Sequence, residues 1–397
     1  MRAPIGFVTR FLGALTALAL AACASGPVTA PPAGGAPAPT AARTTDPTQP
    51  APVALLLPLS GPEPAQQAQA RDMEAAARLA LADAPGLVDL RVYDTAADPS
   101  RARAMAEQAV AEGAALILGP VYAQEAIEIR PVLAATGTQA LSFTPFSGAA
   151  GGGVHAMGFA PENDVWRIMS YAAQNGVGRV ALVRPDEQYG DVAEAAARDA
   201  RRTGGAQLVA SVPYRRTNEG VQEATRTGAP EILGSGADSV LLVDRGQGLV
   251  LVAAFLNYYD VSPGRVRFLG LSGWRTDATL QEAALRGGWF AAPDAGLQQA
   301  FAARFRAANG RAPTDLAVLA HDAAAAAAEM VRSARASGAR AAFAPDAVER
   351  PQGFEGAAGA FRFGRDGLVD RSLAIYEATA EGFALRAPAS ARFAAGS

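Results

Sequence analysis

The stretch Val53-Ala54-Leu55-Leu56-Leu57-Pro58-Leu59-Ser60-Gly61 decides how this chain is read. A short apolar run stopped by Pro58 is a buried strand followed by a turn. Downstream, residues 65–83 carry helix formers with their apolar members on one face, and Pro85-Gly86 ends that helix. Residues 88–93 read as a second strand. Asp98 then offers an N-cap and Pro99 a first helical position for a helix to residue 112. Leu116-Ile117-Leu118, closed by Gly119-Pro120, is a third strand; a helix to residue 136 and a strand through Ala140-Leu141 follow. The pattern restarts with strands at 180–183, 207–212, 239–243 and 266–269, helices lying between them. Strands alternating with helices imply an α/β chain whose parallel sheets are covered on both faces. The pattern runs long enough for two doubly wound lobes with a hinge. The Gly-rich stretch 148–153 and the step Pro161-Glu162-Asn163 mark the boundary between them, and 315–333 is a long Ala-rich helix.

Composition narrows the chemistry. The chain has 397 residues, 50% hydrophobic and 18% charged, with a net charge of −3, so it carries no basic excess for phosphate neutralisation. Nucleic acid is therefore not an expected partner. Every one of its 35 basic residues is Arg. A P-loop, a Schiff-base lysine and a Ser-x-x-Lys acylation pair are excluded, because each needs a lysine. The only histidines are His155 and His321, and the single cysteine is Cys23. No Cys/His zinc site and no structural disulfide can be assembled from that set in the body. Gly270-Leu271-Ser272-Gly273 lacks the last glycine of a nucleophile elbow. No catalytic constellation, metal or cofactor is expected.

The first residues read as an export signal. Arg2 and Arg10 precede the apolar run 11–22, too short to span a bilayer but suited to a signal h-region. It ends at Leu20-Ala21-Ala22-Cys23, which resembles the bacterial lipobox, whose cysteine becomes the lipidated first residue. Residues 1–22 are thus the expected signal peptide, and 23–51 a lipidated Cys23 with a Pro/Ala/Thr-rich tether. Acyl chains contribute about 0.8 kcal/mol per buried CH₂, so two or three make a stable anchor. Ala24 follows Cys23, and no aspartate stands there to signal retention. By resemblance to enteric sorting, this favours the inner leaflet of the outer membrane, facing the periplasm.

Several short signatures fall in one order along the body. They are Leu57-Pro58-Leu59-Ser60-Gly61, Tyr93-Asp94-Thr95 with Asp98-Pro99, Leu118-Gly119-Pro120, Leu141-Ser142-Phe143-Thr144, Gln188-Tyr189-Gly190, Phe354-Glu355-Gly356, Phe361-Arg362-Phe363 and Asp366-Gly367. The ordered set resembles the type I periplasmic-binding fold, in its leucine/isoleucine/valine-binding-like family, over nearly all of residues 52–380. That resemblance implies a first lobe of 52–160 plus about 290–345, and a second of 161–289 plus about 346–392. Residues 154–163, 184–190 and 315–323 are more similar to the lipoprotein activators of penicillin-binding proteins, although the helical-repeat domain of the enteric activators has no counterpart before residue 52.

In open α/β sheets ligands bind at the carboxyl ends of the strands. Spacing assigns those positions to Ser60, Tyr122, Ser142, Phe143 and Thr144 in the first lobe, and to Tyr189, Asp244, Arg245, Ser272 and Trp274 in the second. Hydroxyls and free N–H groups at helix starts suit a carboxylate or another small anion. The resemblance implies a serine near Tyr122 for an α-carboxylate and an acid near Ser272 for an α-ammonium. The phenol and the neutral hydroxyl found there speak against ordinary amino-acid capture, since an ammonium buried without a counter-charge is costly. Two functions follow as expectations. One is a non-catalytic lipoprotein that binds and activates a peptidoglycan synthase, a penicillin-binding protein. The alternative is the solute-binding component of a branched-chain-amino-acid-type ABC importer, with a permease as partner and an amino acid or small anion as ligand.

Overall fold

The computed structural model describes residues 41–393. The expected signal peptide, Cys23 and most of the expected tether lie outside that range. Among the described residues no helix is long and apolar enough to cross a membrane.

Strands β1 (Ala51–Leu57), β2 (Val88–Asp94), β3 (Leu116–Leu118), β4 (Gln139–Ser142) and β5 (Val154–Ala156) form a parallel sheet in the order β2-β1-β3-β4-β5. Helices α1 (Pro64–Leu81), α2 (Pro99–Ala111) and α3 (Ala123–Thr136) connect its strands. The strand β1 shows why both faces are covered. Its odd residues Val53, Leu55 and Leu57 join one buried cluster with Met73 and Ala77 of α1, while Ala54 and Leu56 join another with Ala102, Ala106 and Ile129 of α2 and α3. Side chains alternate along a strand, so a continuous apolar run is what a sheet covered on both faces requires. Each such leucine contributes about 1.5–3 kcal/mol by burial. The helix α2 starts where the sequence places it: Asp98 accepts from the Arg101 N–H at 2.7 Å and Pro99 occupies the first turn.

The second lobe repeats the scheme. Strands β6 (Arg179–Pro185), β7 (Gln207–Tyr214), β8 (Ser239–Leu242), β9 (Arg267–Gly270) and β10 (Trp289–Ala292) run parallel, with α4 (Pro161–Gln174), α5 (Gln188–Ala200), α6 (Asn218–Gly234), α7 (Gly246–Tyr258) and the short α8 (Asp277–Gln281) around them. In β8, Val240 and Leu242 face the α6/α7 side, and Leu241 faces the α4/α5 side. Helices α9 (Ala295–Asn309) and α10 (Ala317–Ser337) return to the first lobe, where Phe301 and Phe305 of α9 pack with Ala76 of α1. Alanines along α10, among them Ala320, Ala323 and Ala327, share the first-lobe core with α1. Small side chains let the two helices approach closely. The short α11 (Pro345–Val348) follows.

The C-terminal tail departs from the expected division. Residues 346–392 were expected wholly in the second lobe, yet they are shared. The antiparallel pair β11 (Phe361–Phe363) and β12 (Val369–Arg371) places Phe361, Phe363 and Val369 in the first-lobe core, with Val348 and Phe354. Then β13 (Ala374–Ala378) pairs antiparallel with β10, from Trp289 opposite Glu377 to Ala292 opposite Ala374, and β14 (Phe383–Ala387) pairs with β13. The second sheet thus has the order β14-β13-β10-β9-β8-β6-β7. Pairing with β10 draws only the last part of the tail into the second lobe.

The chain therefore crosses between the lobes after β5, after β10 and after β12. Two of those crossings are stitched together. The Arg371 N–H donates to Asn163 Oδ1 at 3.2 Å, its guanidinium donates to the Met157 carbonyl at 3.2 Å, and Arg167 donates to the Leu373 carbonyl at 2.8 Å. Arg371 is buried beside the equally buried Asp322, 3.6 Å away, and lies over the rings of Phe159 and Phe361. Asp322 in turn accepts from the Ala357 and Ala358 N–H groups.

Candidate functional site

The first lobe turns most of its strand-end polar groups inward. Ser142 is buried and its hydroxyl donates to the Pro120 carbonyl at 2.9 Å. Phe143 belongs to the hydrophobic core, and buried Thr144 accepts from the Phe146 N–H at 3.1 Å. None of these presents a free group to solvent. Ser60 is exposed, but its N–H and hydroxyl both donate to Asp94. Lost hydration works to raise the Asp94 carboxyl, yet Ser60, the Ala96 N–H and Arg101 together hold it below its ordinary value. Tyr122 precedes α3 and is half-buried; its N–H donates to Glu125 at 3.1 Å. Burial raises the Glu125 carboxyl, and lost hydration together with Glu125 raises the Tyr122 phenol.

The second lobe gathers Tyr189, Asp244, Arg245 and the loop of Ser272. The helix α5 begins at Gln188, so Tyr189 stands at its first turn, with 40% of its surface exposed. A Cβ on the next residue, Gly190, would meet the Pro185 carbonyl oxygen at 2.0 Å, so only glycine lets this helix start so close to the end of β6. The Tyr189 phenol is pushed up to about 12, first by lost hydration, then by the negative charge of Asp164, while Arg245 and Arg216 pull it down. Asp164 lies in the first turns of α4 and accepts from the Ser272 N–H at 2.8 Å. Burial raises its carboxyl to about 6 against the opposing hydrogen bond from Ser272.

Asp244 is buried and saturated. It accepts from the Tyr214 hydroxyl, from Arg216 at 3.0 Å and from the Arg245 N–H at 2.8 Å. Lost hydration and the bond to Asp244 raise the Tyr214 phenol. Arg216 also reaches Glu187 at 3.5 Å. Arg245, the residue before α7, is exposed, and among the described residues no carboxylate lies within ion-pairing distance of its guanidinium. Its stem runs along Gly273, where an added Cβ would meet Arg245 Cβ at 2.9 Å. Between the starts of α6 and α7 a cavity of about 330 Å³ opens, bordered by Tyr214, Arg216, Asn218, Asp244, Arg245 and Gln247.

Trp274 does not join this group. It is fully buried against Phe290, 6.1 Å between centroids, and its indole N–H donates to the Leu242 carbonyl at 3.3 Å. Gly270 and Gly288 leave the slot that the indole fills, since a Cβ on Gly270 would meet the ring at 2.1 Å. Ser272 is turned toward Asp164: its N–H donates to that carboxylate, and its hydroxyl also helps hold the carboxyl down. Asp164, Tyr214 and Arg216 were not anticipated from sequence. For Asp164 the acidic first turn after Pro161 was a usable signal; for Tyr214 and Arg216 there was none short of the fold. Among the described residues no cluster of His, Cys, Asp and Glu is arranged to hold a metal. A larger cavity of about 510 Å³ lies on the first lobe, away from the strand ends, where Glu329 pairs with Arg332 and Arg350 and Glu355 with Arg392.

Two α/β lobes with parallel-dominated sheets are the fold that the sequence motifs implied, and the family model for periplasmic binding proteins matches residues 50–383. The chain belongs to the periplasmic binding protein family. A search of the curated proteins finds no match. Among solved structures, a Rhodospirillum rubrum chain described as a branched-chain amino-acid ABC transporter is similar with a TM-score of 0.71 at 18% identity, covering 85% of this chain and 99% of its own. An ABC-transporter solute-binding protein from Rhodopseudomonas palustris, in complex with 3,4-dihydroxybenzoic acid, has a TM-score of 0.53 at 17% identity, over 86% and 97%. The branched-chain amino-acid transporter substrate-binding protein of Streptococcus pneumoniae, in complex with isoleucine, has a TM-score of 0.51 at 15% identity, over 86% and 100%. At these identities the likeness is one of fold: α/β, with parallel-dominated sheets in two lobes.

Proposed function

We propose that this periplasmic binding protein is a receptor for a small solute, which its two lobes enclose and which it hands to an ABC-type importer. The supporting observation is the family match over 50–383 together with the two-lobed fold that it shares with transporter receptors. The solute is held between strand ends, as in other open α/β sheets, and the three crossings after β5, β10 and β12 serve as the hinge. Tethering through Cys23 in the periplasm fits such a receptor. The synthase-activator expectation rests on looser sequence stretches to which neither the family nor these neighbours add support.

The test is a thermal-stability screen of the full-length protein in mild detergent, against amino acids, aromatic acids and aliphatic acids. Saturable stabilisation with a decrease in radius of gyration supports the receptor. Retention of a peptidoglycan synthase with no response to any solute sinks it. A Cys23→Ser chain should partition into the aqueous phase if the anchor is real, and membrane retention of that variant would count against lipidation.

A further inference from the structure

Resting on the receptor reading, the geometry points to the kind of solute: we propose that it is a carboxylate lacking an ammonium group, anchored by Arg245. The acids beside Arg245 are already committed. Asp244 accepts three donors, from Tyr214, Arg216 and the Arg245 N–H, and its charge is paired with Arg216. Asp164 is buried and accepts from the Ser272 N–H. Glu187 reaches Arg216. An incoming ammonium would have to displace one of these bonds and be desolvated while doing so.

Arg245 stands in the opposite condition. It is exposed, carries no ion pair among the described residues, lines the cavity between α6 and α7, and is near enough to Tyr189 for its charge to act on the phenol. Gly273 supports its stem from below, which limits the freedom that binding must remove. A planar guanidinium in that state suits bidentate contact with a carboxylate. The exposed ring of Tyr189 offers an apolar face for the body of the same molecule. Arg216, by contrast, is neutralised by Asp244 and Glu187 and serves to hold the wall in place. Asp186, an exposed acid just after β6, is the natural control.

The experiment is calorimetric titration of the full-length protein in mild detergent with leucine, with 4-methylpentanoate, which is leucine with hydrogen in place of the amine, and with benzoate. The expected result is that 4-methylpentanoate or benzoate binds at least about ten-fold more tightly than leucine. Arg245→Ala should weaken that binding by about ten-fold or more, Arg245→Lys by less, and Asp186→Asn should leave it unchanged. Because Arg245 is exposed, its variants should melt with the parent, and Arg245→Gln serves if the alanine form does not fold. Tighter binding of leucine than of its deaminated analogue overturns the proposal, as does acid binding that survives Arg245→Ala. A loss of leucine binding in Asp186→Asn would show an ammonium held there and overturn it too. Failure of all three probes overturns it as well, while the receptor reading then stands or falls on the wider screen.

Discussion

The strand ends of the two lobes are built from the same parts and leave different things free. In the first lobe Ser142 and Thr144 are buried and spend their hydroxyls on Pro120 and Phe146, and Ser60 is bound to Asp94. In the second lobe the acids are consumed by neighbours, while Arg245 is left exposed and unpaired among the described residues. Position at a strand end thus puts a side chain near the ligand region without making it available. Availability is decided by which backbone or side-chain groups nearby lack a partner, since buried polar groups must be satisfied. The first lobe spends its strand-end hydroxyls within itself, and the second carries the uncommitted charge.

The largest effect tests whether the second lobe's frame ends at Trp274. Trp274→Ala should cost about 3–5 kcal/mol of stability, because a fully buried indole is removed from between Gly270 and Gly288 and its bond to Leu242 is lost. Denaturant unfolding measures this. A variant of near-parent stability that loses solute binding would place Trp274 in the recognition surface and blur the comparison.

Much of that frame was legible beforehand. The run Val53–Leu57, the Asp98-Pro99 helix start and the Gly119-Pro120 stop each encode a local preference that the fold also wants. The strands β13 and β14 were not legible, because Ala374–Ala378 becomes a strand through its antiparallel register on β10, more than eighty residues away in sequence. The strand-end positions were legible too; side-chain direction was not. Trp274 turns inward because two glycines in separate segments open a slot, and Ser142 is occupied by a carbonyl 22 residues distant. Such conditions exist only once the sheets have assembled.

The second test concerns charge stored in the second lobe. Asp164 has a folded value of about 6 against an ordinary 3.8, so the folded protein holds a proton that the unfolded chain has released. Its contribution is fully present below the unfolded value and is lost as pH rises through about 6. Asp164→Asn keeps an oxygen for the Ser272 N–H but has no ionisation, so it should gain roughly 2–3 kcal/mol relative to the parent at neutral pH and little at low pH. His155 acts in the opposite sense: burial lowers it to about 4, so its contribution is present above 6.5 and lost as pH falls toward 4. The difference between parent and variant cancels this background. A flat difference profile would mean that Asp164 is ionised without cost and that the second lobe stores no such strain.

The smallest effects separate the lobes most cleanly, because they compare one serine with another. Ser142→Ala removes one of two donors to the Pro120 carbonyl, which the Phe143 N–H still reaches, and should cost about 0.5–1.5 kcal/mol with no change in solute affinity. Ser272→Ala retains the N–H that Asp164 uses but removes a hydroxyl that also helps hold the Asp164 carboxyl down, so at neutral pH it should cost about 0.5–1.5 kcal/mol. If the solute reached the Ser272 hydroxyl, affinity would fall along with stability, and the recognition surface would extend from Arg245 past Gly273 to Ser272. If affinity did not move, Arg245 would stand as the anchor without help from that loop's side chains. Urea unfolding and calorimetric titration of the two alanine variants distinguish these outcomes, and a Ser272→Ala form of parent stability at neutral pH would show that the hydroxyl does not serve Asp164.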